Sequence, residues 1–75
     1  MTKVIFFKEE GEPLAVFPEL KDGNNNLQCY ARIGQHSVAH KDYIKTLPVI
    51  REPKEYNGLK RELTELGYTL KIVEP

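Results

Sequence analysis

The stretch over residues 53–66 constrains the fold more than any other part of the chain. Tyr56, Leu59, Leu63 and Leu66 recur at steps of three, four and three, which places four apolar side chains in one stripe along an α-helix. Pro53 suits the first helical position, where its missing N–H removes no bond. Gly67 can take the left-handed conformation that closes a helix. Directly after it, Tyr68, Leu70 and Ile72 alternate with Thr69, Lys71 and Val73, the period of a strand. A one-sided helix joined through a glycine to a one-sided strand needs a sheet to cover it, so the sequence predicts an α+β domain. Gly58 inside the helix costs about 1 kcal/mol relative to alanine, and a close helix-to-sheet approach would account for it.

The preceding residues supply the rest of the sheet. Residues 2–8 are rich in β-branched and aromatic side chains and read as a strand. Residues 9–13, centred on Gly11, read as a turn, and residues 14–17 as a short second strand that Pro18 ends by lacking a ladder donor. These two strands are expected to form a hairpin. Residues 21–26 hold Asp-Gly followed by three asparagines and read as a long polar loop. Leu27, Cys29, Ala31 and Ile33 alternate with Gln28, Tyr30 and Arg32, which predicts a third strand with one apolar and one wetter face. Gly34 breaks it. Ser37 is placed to cap a short helix in which Ala39, Tyr43, Ile44 and Leu47 fall along one side, and Pro48 ends that helix. The expectation is a single small domain over residues 1–75, with a mostly antiparallel four-stranded sheet in β-β-β-α-α-β order. Both helices pack on one face in this reading. The other face is open and lined by Gln28, Tyr30, Arg32, Thr69, Lys71 and Val73, with one residue each of Phe6/Phe7 and Val16/Phe17.

A chain of 75 residues hides only about 60% of its unfolded surface, so a thin core and help from a second subunit are expected. Cys29 is the sole cysteine; no disulfide closes within the chain, which suits a reducing compartment. The apolar run Val4, Ile5, Phe6, Phe7 is too short for a signal peptide or a membrane span. The sequence therefore points to the cytoplasm and away from membranes. Eleven basic and eleven acidic side chains cancel, which argues against a protein that coats nucleic acid. Their distribution is uneven. Residues 9–22 carry five acids against Lys21, whereas residues 32–54 carry Arg32, Lys41, Lys45, Arg51 and Lys54 against Asp42 and Glu52.

Few residues suggest chemistry. Cys29, His36, His40 and Asp42 are metal-ligand types within fourteen residues, and two histidines four apart can clamp zinc on a helix. A cap at Ser37 leaves His36 outside that helix, and Cys29 lies among apolar residues, so no metal is expected. Ser37 beside His36, His40 and Asp42 has the letters of a nucleophile with base and orienter, but sequence neighbours rarely achieve that geometry. No glycine-rich phosphate loop is present. The chain is accordingly expected to bind, without a cofactor, and not to be an enzyme. Tyr30 and Arg32 on an open sheet face, with Lys71 and the basic middle segment, offer one route to nucleic acid. Self-association through the same face, as a homodimer, is the preferred reading.

Several runs carry a resemblance: residues 29–37 (CYARIGQHS), residues 42–44, Glu55, Tyr56, Leu59, Glu62 and Leu63, and residues 67–70 leading into GYTLKIV. They resemble a family of short uncharacterised proteins of anaerobic gut bacteria and their mobile elements. The resemblance implies a bacterial cytosolic protein and transfers no activity, cofactor or catalytic residue. Gly34, Gln35, His36 and Ser37 fall at an expected strand end beside a helix start, where backbone donors and an imidazole suit an anion or a partner's carboxylate; a turn with a capping serine is the alternative. The candidate binding residues are Tyr30, Arg32, Gln35, His36, Ser37, His40, Lys41 and Lys71, and the expected partner is a protein.

Overall fold

The computed structural model describes residues 1–32 and 34–75. It is an α+β fold of β1 (Thr2–Glu9), β2 (Glu12–Lys21), β3 (Asn26–Ala31), β4 (Gln35–His40), α1 (Lys41–Ile44), α2 (Pro53–Glu65) and β5 (Leu70–Ile72). One five-stranded sheet runs in the order β4-β3-β2-β1-β5. The first four strands form an antiparallel meander, and β5 lies parallel to β1. The sheet is thus mixed and has one more strand than the sequence reading, in β-β-β-β-α-α-β order.

The expected first hairpin is present. Glu10 and Gly11 link β1 to β2 with φ of 52° and 81°, the pair of left-handed residues whose twist suits a two-residue hairpin turn. The second strand is longer than expected and runs past Pro18 to Lys21. Its register against β3 shifts between Phe17 and Lys21, so Pro18 sits where no ladder donor is required. The asparagine-rich loop is tighter than expected. Asp22 Oδ1 accepts the N–H groups of Asn24 and Asn26 at 2.8 and 3.1 Å, an Asx turn that closes the hairpin between β2 and β3. Those bonds hold the Asp22 carboxyl below its ordinary range.

The largest difference is at residues 35–40. Gly34 adopts φ 73° and turns the chain into β4, so Ser37 lies mid-strand opposite Cys29 and caps nothing. The short helix begins later, at Lys41, and is capped by His40, whose Nδ1 accepts from the Asp42 N–H at 3.1 Å. The expected fourth apolar residue of β3, Ile33, lies outside the described residues.

α2 matches the sequence reading closely. Gly67 has φ 108° and donates to Thr64 O, while Tyr68 donates to Leu63 O, both at 3.1 Å; this is the Schellman arrangement. Tyr56, Leu59 and Leu63 are buried, but Leu66 at the cap is 56% exposed. A Cβ at Gly58 would meet nothing within 4 Å, so close approach to the sheet does not explain that glycine.

The helices lie on opposite faces of the sheet, not on one. α2 covers Val4, Phe6, Ala15, Phe17 and Tyr30, with Phe6 and Tyr56 stacked at 4.4 Å. The other face, Ile5, Phe7, Leu14, Val16 and Cys29, is covered by Ile44 and the half-buried Leu47, Val49 and Val73. The reason is in β1 and β2, each of which buries four consecutive apolar residues. Such runs put apolar side chains on both sides of a strand, and both sides then need cover.

Candidate interaction edge

β4 forms one margin of the sheet and bonds only to β3. Its register is unbroken over six pairs, from Asn26↔His40 to Ala31↔Gln35, with no bulge. Gln35, His36, Ser37, Val38 and His40 are all exposed, Val38 at 59%. On an antiparallel edge every second residue turns its N–H and C=O outward. Natural edges are commonly guarded by lysine, proline, bulges or extreme shortness, and QHSVAH has none of these. The opposite margin differs. The outer side of β1 is paired by β5 over Thr2, Lys3 and Val4, and further along Lys8 N–H donates to Pro48 O at 2.9 Å and Ile50 N–H to Phe6 O at 2.8 Å. The outermost strand there has three residues with Lys71 at its centre.

The turn that leads into β4 is tied down from across the core. Tyr30 is 1% exposed and donates its hydroxyl to the Glu62 carboxylate. Gly34 N–H lies 3.0 Å from the same hydroxyl oxygen and 3.3 Å from Glu62 Oε2. Glu62 follows Leu59 by three residues and precedes Leu63, which sets it at the border of the buried stripe. The hydrogen bond to the carboxylate, followed by burial, raises the Tyr30 hydroxyl above the ordinary tyrosine range. That phenol therefore stays protonated and serves as a strut. His36, opposite Tyr30 in β4, packs edge-on against its ring at 4.7 Å.

The structure separates most of the predicted site residues. Tyr30 lies beneath α2, so its ring is not on an open face. Gln35, His36, Ser37 and His40 share β4, but Ser37 sits opposite Cys29 while His36 and His40 sit opposite Tyr30 and Asn26; alternation sends serine and histidines to opposite faces. Two histidines four apart on a strand are about 13 Å apart, too far for one metal ion. Among the described residues no group of three His, Cys, Asp or Glu side chains is placed to hold a metal. Arg32 pairs with Glu12 at 3.7 Å beside the β3–β4 turn, whereas Lys41 begins α1 at the other end of β3, where its N–H donates to Asn25 O. Lys71 is four strand spacings from β4, about 19 Å. Arg32, Lys41, Lys45 and Lys71 do not converge on one surface, and no observation favours nucleic acid.

Sequence reasoning missed Glu62 and Val38 as site residues. A tyrosine on a mostly apolar strand needs a partner for its hydroxyl, and that signal called for an acceptor without naming it. Comparison with protein-family models, curated proteins and solved structures found no match.

Proposed function

We propose that this chain is a small cytoplasmic interaction domain that binds by strand addition at β4, in the first place to a second copy of itself. The unguarded six-residue edge carries this reading. Antiparallel pairing of two copies about Val38, with a twofold axis normal to the sheet, sets Val38 against Val38 and His36 against His40. Each exposed apolar side chain then covers its equivalent, and two five-stranded sheets join into one. The strut of Tyr30, Glu62 and Gly34 fixes the turn at the start of the edge, which lowers the ordering cost of association. The role is binding without catalysis, in the bacterial setting that the family resemblance implies.

Sedimentation equilibrium across a concentration series tests the proposal. The expected result is a monomer–dimer equilibrium for the unaltered chain and a monomer for Val38→Lys, with an unchanged melting temperature at dilution because the side chain is exposed. A chain that stays monomeric at millimolar concentration defeats the reading. So does a dimer indifferent to Val38→Lys.

A further inference from the structure

The face of the sheet opposite α2 holds a second feature, independent of the β4 edge. Between that face, α1 and the chain after it lies an apolar crevice of about 280 Å³. Ile5, Phe7 and Val16 form its floor, and Ile44 and Leu47 stand at its wall. The floor residues are buried within the protein, so the crevice reaches the core instead of lying on the surface. Its only charged lining residues are Lys41 and Lys45. These lie four apart, on neighbouring turns of α1 and its cap, and so share one side. Neither lysine makes an ion pair among the described residues. No acidic side chain lines the crevice.

We infer that this crevice binds a medium-chain aliphatic carboxylate, with the chain against Ile5, Val16 and Ile44 and the carboxylate at the Lys41 and Lys45 ammonium groups. Two observations carry the assignment. The walls are apolar and offer an alkyl chain no polar partner, and the unpaired charges at the mouth have one sign. The volume sits at the lower bound of small-molecule sites, roughly 300–1,000 Å³, which selects a single short chain over a long or two-chain lipid.

The test is a methyl-detected NMR titration with hexanoate, octanoate, decanoate and decanol, each below its micellar range. Binding is expected to shift the methyl resonances of Ile5, Val16, Leu27 and Ile44. Affinity should rise about fourfold per added methylene until the crevice is filled. Decanol should bind about tenfold more weakly than decanoate, and Lys41→Gln/Lys45→Gln should weaken decanoate to a similar degree. Both lysines are exposed, so the double variant is expected to keep its fold, and the decanol comparison probes the charge without any substitution. Absence of methyl shifts at low millimolar decanoate overturns the inference, as does affinity independent of chain length or equal for acid and alcohol.

Discussion

Gly58 stands in the middle of α2 with open space where a side chain would lie. Alanine there meets nothing and recovers helix propensity, so Gly58→Ala is expected to raise stability by about 1 kcal/mol. The check is a shift in urea midpoint with an unchanged slope. Cys29 behaves in the opposite sense at high pH. Burial first, and the nearby Glu9 charge second, push its thiol from an ordinary value near 9 up to about 11. A group whose folded pKa is raised contributes stability that is complete below its unfolded pKa and lost as pH climbs through the folded one. Unfolding free energy is therefore expected to fall by about 2 kcal/mol between pH 9 and 11, and Cys29→Ala should flatten that part of the profile. Tyr30 and Tyr43, raised by hydrogen bonds to Glu62 and Glu9, add to the fall above pH 10 and will remain in the variant. Tyr30 also marks a limit of legibility. Alternation put it on the wetter side of β3 because a hydroxyl reads as polar, but a carboxylate thirty-two residues on satisfies that hydroxyl, and no local period encodes such a partner.

Elements were legible where a period and a chemical stop coincided. α2 had both: a buried stripe at helical spacing, Pro53 at the start and a Gly67 cap. β4 had neither, since Gln35, His36, Ser37, Val38, Ala39 and His40 combine weak β propensity with a serine that resembles a helix cap. What makes them a strand is the turn at Gly34, which returns the chain along β3. The link from that turn to α2 is testable. Glu62→Ala removes the acceptor for both the Tyr30 hydroxyl and the Gly34 N–H, and is expected to cost about 1.5–3 kcal/mol and to weaken self-association by loosening the start of β4. Denaturant unfolding and sedimentation on the same sample check the two effects. A stability loss below about 0.5 kcal/mol, within the ordinary range of surface changes, counts against the strut.

The whole molecule is a sheet covered unequally: thirteen helical residues on one face, four and an irregular segment on the other. Local opening draws on regions with little buried apolar contact. Native-state hydrogen exchange is therefore expected to show lower opening free energies for residues 41–47 than for Val4 to Phe7 in β1. Equal protection in the two regions would contradict the unequal cover. The parallel pairing of β5 with β1 has a further consequence during biosynthesis. The partner of Thr2, Lys3 and Val4 is translated 63 residues after β1 is complete, an interval of roughly 3–13 s at ordinary elongation rates. For that time the nascent chain carries an apolar central strand with one flank unzipped, and the ribosome-bound hairpin of β1 and β2 is the form that a holding chaperone has reason to meet.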